Sequence, residues 1–285
     1  MADDLLLSVD FEDWHQLVRR RVGAANWREP GPALARQTDA MLSLFDDLGV
    51  RCTFFILGVA ARAHPQLVER VASGGHEIAC HGDAHVPVFA QTREEFEADL
   101  QSATNTIEQL TGRHPVGYRA PAFSITRRTP WAHDVLADQG FVYDASEHQT
   151  PVVRDRARTA DTGARRLPGT GLWELPVAAA RWRSLTLPVG GASYWAITPT
   201  PVVLAGLRRA PSDAGLYLHP HELDPEPLRP LLQGRQRLKA WLRTAQRNAA
   251  RRRAADVLRA ISARHRLITY GEAHERLSAN GRAGS

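Results

Sequence analysis

Residues of the metal-binding and proton-transferring kinds close one short apolar run after another along this 285-residue chain. The run Leu5 to Val9 ends in Asp10-Phe11-Glu12-Asp13, and the run His76 to Cys80 ends in His81-Gly82-Asp83-Ala84-His85. Two imidazoles and a carboxylate make a divalent-metal site that keeps positions open for water and substrate. The four-residue spacing of His81 and His85 puts both rings on one face if the chain turns helically beyond its strand. Alone, such a pair is as readily a surface accident. Paired with a carboxylate cluster at another strand end, it is more specific than either part.

Asp10, Glu12 and Asp13 would repel one another unless a cation or a proton held them. One is expected to bind the ion, and another to take a proton from the attacking water as general base. Strand alternation sets Asp10 and Glu12 on one face, with Asp13 just past the turn. The metal carboxylate therefore stays open between Glu12 and Asp13. Other runs end in Arg119-Ala120-Pro121, in Asp144 and in Leu218-His219. A histidine at a strand terminus is suited to protonating a leaving amine, and His219 is the candidate, with His221 as its rival.

The elements that must position these groups are legible as well. Apolar runs at Leu5–Val9, Cys52–Leu57, His76–Cys80, Val116–Arg119, Gly140–Tyr143, Leu172–Pro176, Gly215–His219 and Arg266–Thr269 alternate with amphipathic stretches. That order indicates parallel strands joined by crossover helices. Met41 to Phe45 before Gly49, and Leu67 to Val71 before Gly74-Gly75, read as helices with glycine stops. Seven or eight such units, without a Gly-x-Gly-x-x-Gly turn after the first strand, predict a closed α/β barrel more than an open doubly wound sheet, as a single domain over residues 1–277. Residues 149–171 read as a long surface loop and residues 278–285 as a flexible tail.

Composition sets the remaining bounds. With 43% hydrophobic and 24% charged residues, one sizeable core is expected. Cys52 and Cys80 sit in apolar runs and are expected to be reduced thiols. The opening MADDLLLSVDFEDW lacks a basic leader region, and its apolar run is too short for a signal peptide or a span, so a cytoplasmic location is expected. The net charge of +5 concentrates in Arg235–Arg259. A solvated helix face accounts for that; an anionic lipid-linked carrier or the inner membrane face, met peripherally through Leu238, Trp241 and Leu242, is the sharper expectation. Nothing in the motifs points to nucleic acid.

The motifs together resemble the polysaccharide deacetylase family, also described as NodB-like carbohydrate esterases. His81-x-x-x-His85 after Gly75-His76-Glu77-Ile78-Ala79 resembles the family's metal-binding histidine motif. Thr53-Phe54-Phe55-Ile56-Leu57-Gly58 resembles its second strand, Arg119-Ala120-Pro121 its Arg-Pro motif, and Leu218-His219 its last catalytic motif. The opening Ser8-Val9-Asp10-Phe11-Glu12-Asp13-Trp14 is similar to the subgroup associated with exopolysaccharide gene clusters. The resemblance implies an α/β fold of the distorted (β/α)7-8 barrel kind and a metal-dependent N-deacetylase acting on an N-acetylated sugar or glycan, with Zn2+ as the usual ion and Co, Ni or Mn also suited to the donors. It further implies His81 and His85 as ligands and His219 as acid. Arg119 would orient the base carboxylate and Asp144 the acid histidine, with a backbone N–H near Ala122 facing the oxyanion. The first strand departs from the family's Thr-Phe-Asp-Asp-Gly. An ungapped overlay makes Glu12 the base and Asp13 the ligand, whereas alternation favours Asp10 as base with Glu12 as ligand. Ala122 replaces the usual aromatic, with Phe123 one step on. Trp14, Trp173, Trp182, Tyr194 and Trp195 are candidates to line a sugar groove. The rivals are a C–N hydrolase for cyclic amides or imides on the same scaffold, and a sugar-binding protein with a degenerate site.

Overall fold

The computed structural model describes residues 4–148, 163–182, 185–229 and 234–283. Its strands are β1 (Asp4–Phe11), β2 (Thr53–Ile56), β3 (Glu77–Cys80), β4 (Gly117–Tyr118), β5 (Tyr143–Asp144), β6 (Arg165–Arg166), β7 (Trp173–Glu174), β8 (Ala179–Trp182), β9 (Leu185–Pro188), β10 (Ala214–Leu218) and β11 (Arg266–Ile268). The main sheet runs β10-β1-β2-β3-β4-β5-β7-β6, parallel throughout except at the β6–β7 edge. Beyond β7 the chain turns back to β10: Gly215 N–H donates to Pro176 O at 2.8 Å, and Ala178 N–H donates to Gly215 O at 2.8 Å. These bonds close the sheet into a distorted seven-stranded barrel. β11 pairs with Asp4–Leu6 of β1 while β2 pairs with Ser8–Phe11, so β11 fills the edge below β2. All eight apolar runs in the sequence correspond to strands here. The β8–β9 hairpin escapes sequence reasoning because Ala179-Ala180-Arg181-Trp182 has too little apolar alternation to stand out.

Alternation along β1 sorts the side chains into two layers. Leu5, Leu7, Val9 and Phe11 face outward into the core shared with the helices Leu34–Leu48, Pro65–Ser73 and Arg93–Thr111. Each such fully buried side chain stabilises the fold by about 1.5–3 kcal/mol. Leu6, with Phe55, Ala79, Tyr143, Leu175, Ile268 and Tyr270, fills the barrel interior. Gly215 is required there, because a Cβ would lie 1.8 Å from the Tyr270 hydroxyl.

The segment from Ser278, expected to fray, continues the helix Tyr270–Ala283, with the Ser278 hydroxyl 3.2 Å from His274 Nε2. Of the long loop expected at 149–171, residues 149–162 lie outside the described residues, and β6 occupies part of the rest. Cys52 and Cys80 are buried free thiols. Among the described residues, no helix is long and apolar enough to cross a membrane.

His76, just before β3, packs against Phe45 and Phe54, with ring centroids 5.9 and 5.1 Å away. Its Nδ1 accepts a hydrogen bond from the Cys52 N–H. Burial, reinforced by the Arg51 cation, pushes its pKa from 6.5 down to about 4. The unfolded chain binds that proton more readily, so the contribution of neutral His76 is present above pH 6.5 and is lost as pH falls toward about 4. Over that interval, the melting temperature of His76→Gln should fall less steeply than that of the wild type. Parallel melting curves would contradict this account.

Candidate metal centre and active site

At the C-terminal mouth of the barrel lies a cleft of about 920 Å3. β1 delivers Asp10 and, one residue past its end, Glu12 to this cleft, while Phe11 between them points into the outer core. Asp13 turns away. Its carboxylate caps the helix Trp14–Arg21 by accepting from His15 N–H at 2.8 Å, and it accepts from Gly31 N–H at 2.6 Å. Asp13 lies beside His15 and His64 rather than the paired imidazoles. That geometry sets Asp13 apart from the paired imidazoles and brings Glu12 to them.

Glu12 Oε2 sits 3.0 Å from His85 Nε2 and 4.0 Å from His81 Nε2, and Oε1 sits 3.4 Å from His219 Nε2. Burial alone would raise the Glu12 carboxyl, but the His85, His219 and His81 imidazoles outweigh it and hold it well below the usual carboxylate range. His81 is pushed down chiefly by burial, which favours the neutral, ligating imidazole. Its Nδ1 lies 2.8 Å from the Arg119 carbonyl. Donation of the Nδ1 proton to that acceptor leaves the Nε2 lone pair aimed at Glu12. Glu12, His81 and His85 offer donor atoms within 4.8 Å of one another, and the buried Glu12 Oε2 has no hydrogen-bond partner. An orphaned carboxylate oxygen facing two imidazoles suits a divalent cation such as zinc.

The two histidines do not converge through a helical turn. The chain leaves β3 through Gly82 at φ 76° and reaches His85 at φ 55°, and this irregular loop sets the rings 5.6 Å apart, edge to face. Among the described residues, the four non-glycine residues with positive φ are His85, Ala122, Phe123 and Asp213. The first three line the cleft. Left-handed backbone costs about 1–3 kcal/mol per residue and tends to gather where geometry serves function.

Arg119 lies fully buried. Its Nη1 donates to Asp10 Oδ1 and to the Ser8 hydroxyl, both at 2.7 Å. Nη2 donates to the Tyr270 hydroxyl at 2.7 Å and Nε to the Ala145 carbonyl at 3.1 Å. Phe55 closes the guanidinium from one side, its ring centre 4.0 Å away. Asp10 is thus tied to a side chain that has no freedom to move.

Asp144, expected beside His219, has its contacts elsewhere. Tyr143 and Ala145 occupy the inner layer, so alternation sends Asp144 outward beneath the helix Ala132–Asp138. There it meets His133 Nε2 at 3.2 Å and accepts from the Ser146 hydroxyl. The acid beside His219 is Glu222, whose Oε2 is 3.1 Å from Nδ1 and also accepts from the His219 N–H at 2.8 Å. The His219-Pro220-His221-Glu222 sequence carried that signal as a capping box, with an acid three residues past the cap. His221 packs its ring against Trp14 and His219, at 5.1 and 5.3 Å.

Phe123, Tyr194 and Tyr217 form an aromatic wall, with Phe123 and Tyr217 5.0 Å apart edge to face. Ala122 lines the cleft beside them, as does Trp14. Trp195, in contrast, is fully buried and donates its Nε1–H to the Val189 carbonyl at 2.8 Å. It is a core residue, and its neighbours Ser193 and Tyr194 face the cleft in its place. Trp173 packs against the barrel interior, and the side chain of Trp182 lies outside the described residues.

Residues 29–143 match the family model described as polysaccharide deacetylase, and residues 147–267 match one described as a domain of unknown function, DUF3473. His81, His85 and Arg119 fall within the first match and His219 and Glu222 within the second, while Asp10 and Glu12 precede both. In sequence the chain is similar to a peptidoglycan deacetylase of Helicobacter pylori, 30% identical over 106 residues, covering 37% of this chain and 35% of that protein. It is similar also to a chitooligosaccharide deacetylase of Sinorhizobium fredii, 28% identical over 121 residues, covering 42% of this chain and 54% of that one. The chain thus spans about a third to a half of these relatives' lengths. In fold it is similar to a Mycobacterium smegmatis protein assigned as a polysaccharide deacetylase, with a TM-score of 0.65 at 20% identity over 98% of this chain and 92% of that one. A peptidoglycan deacetylase from Bacillus subtilis has the same overall fold, with a TM-score of 0.52 at 14% identity over 99% of this chain and 95% of that one.

Proposed function

We propose, from the match of residues 29–143 to the polysaccharide deacetylase family model, that the chain is a metal-dependent hydrolase that removes N-acetyl groups from an amino sugar within a glycan, releasing acetate. The convergence of Glu12, His81 and His85 on one point beside the Arg119-held Asp10 carries this reading. A divalent ion held by those three residues would supply Lewis acidity, polarising the amide carbonyl and acidifying water.

The chain's own residues account for the proton movements. Asp10, fixed by Arg119, takes a proton from the attacking water. Ala122 N–H, presented by the left-handed turn after Pro121, stabilises charge on the acetamide oxygen. His219 protonates the departing amine. As the acid, His219 carries a proton on each ring nitrogen: Glu222 accepts from Nδ1–H, and Nε2–H, on the Glu12 side, is the proton given to the amine. The aromatic wall of Phe123, Tyr194 and Tyr217 offers rings on which the apolar face of a sugar stacks.

The test is acetate release from N-acetylglucosamine oligomers by metal-loaded protein, with and without a chelator. Activity that survives complete metal removal would favour an amide or imide hydrolase of another kind. His219→Gln is expected to lower kcat about a hundredfold while leaving metal content unchanged, since it removes proton donation alone. Glu222→Gln should lower kcat in the same sense, because a neutral amide no longer supplies the charge that supports the protonated ring. Full activity in Glu222→Gln would rule out that role.

A further inference from the structure

The cleft has two unlike walls. Opposite its floor of carboxylates and imidazoles, the last turn of the helix Trp14–Arg21 brings Arg20 and Arg21 to the rim, alongside Leu17 and Val18. Arg20 donates through Nη1 to the backbone carbonyl of His85, so its cation stands within one residue of the metal centre. It also lies 5.4 Å from the centre of the Trp27 ring, which Arg28 covers at 4.6 Å. Asp99 is a nearby compensating charge for Arg20. The carboxylates that line the cleft are Asp10 and Glu12, and both are engaged on its floor, by Arg119 and by the three imidazoles. Complementing the negative end of a helix needs basic residues in the last turn but does not need them to face a cleft. Arg19 meets the local need in a buried position, donating to the Glu29 carbonyl at 2.7 Å.

We propose that Arg20 and Arg21 form an anion subsite, so that the sugar deacetylated here bears, or adjoins, a carboxylate or phosphate group. This rests on the deacetylase reading above and adds the substrate's charge to it. A neutral sugar would stack on the aromatic wall and make no use of the two arginines that line the same cleft. A carboxylate or phosphate at that rim accepts charge-assisted bonds, and its attraction persists over about 8–10 Å at moderate salt. The overall charge of +5 favours the same class of ligand.

The experiment compares kcat/KM for three probes: an N-acetylglucosamine tetramer, a tetramer alternating N-acetylglucosamine with glucuronic acid, and an N-acetylglucosamine tetramer phosphorylated at its reducing end. One of the two anionic probes should exceed the neutral one by about tenfold or more at low salt, with the ratio shrinking as salt rises. Which of them does so separates the carboxylate source from the phosphate source. Arg21→Glu should collapse that ratio toward one, and Arg21→Lys should keep most of it. Calorimetric binding of the same probes separates the two levels of the reading. Salt- and Arg21-dependent binding without acetate release upholds the subsite and removes the activity. Acetate release at equal kcat/KM from all three probes, or a ratio that Arg21→Glu leaves untouched, upholds the activity and overturns the subsite.

Discussion

Replacing His81 and His85 together by alanine will abolish stoichiometric metal binding and lower acetate release by at least about a thousandfold. The magnitude follows from what the pair does jointly. Each imidazole supplies one donor to a point it shares with the orphaned oxygen of Glu12, and one carboxylate without them holds a divalent ion only weakly. The fold should survive the change, because both histidines sit at the barrel mouth and the outer core contains neither. His81 is the more rigidly held, through its contact with the Arg119 carbonyl, and its single replacement should cost more metal affinity than that of His85. Measured by elemental analysis and acetate release on folded protein, wild-type activity in the double variant would overturn the reading.

Asp10→Asn is expected to lower kcat by about three orders of magnitude while metal stays bound, which separates base from ligand. Asparagine keeps the shape of the side chain and cannot take the proton. It also leaves the buried Arg119 cation without its counter-charge, and breaking such a pair costs about 3–5 kcal/mol, so the melting temperature should drop as well. Activity must therefore be measured well below the variant's melting temperature. Glu12→Gln gives the opposite pattern, with metal lost first. Should Asp10→Asn retain activity while Glu12→Gln abolishes it with the ion still bound, the base would be Glu12, as the ungapped family overlay has it.

Much of this arrangement was legible in the residues, and what was not has identifiable physical reasons. The apolar runs marked the strands, because buried parallel strands must be nearly continuous in hydrophobic residues. Alternation by two along β1 correctly paired Asp10 with Glu12 on the cleft side. The same rule, applied to Tyr143-Asp144-Ala145, places Asp144 outside the barrel, and strand-end position by itself obscured that. Helical spacing brought His81 and His85 to attention, yet the loop that joins them is irregular and depends on positive φ at Gly82 and His85, which spacing does not encode. Glu222 was hidden for a different reason. Its partner His219 was sought across the barrel, while the contact is a local one three residues along the chain. Trp195 drew attention as an aromatic, but a tryptophan with a satisfied N–H is as much at home in a core. For the basic helix Gly234–Ser262, the side chains of Leu238 and Leu242 lie outside the described residues, and Trp241 is exposed.

The most direct test of the central claim is a crystal grown with zinc and read by anomalous scattering at the zinc edge. One peak should lie about 2.0–2.3 Å from a Glu12 carboxylate oxygen and from a ring nitrogen of both His81 and His85, with Asp13 still capping its helix. A peak ligated by Asp13 instead of Glu12, or the ion bound elsewhere with these three side chains bare, would contradict it.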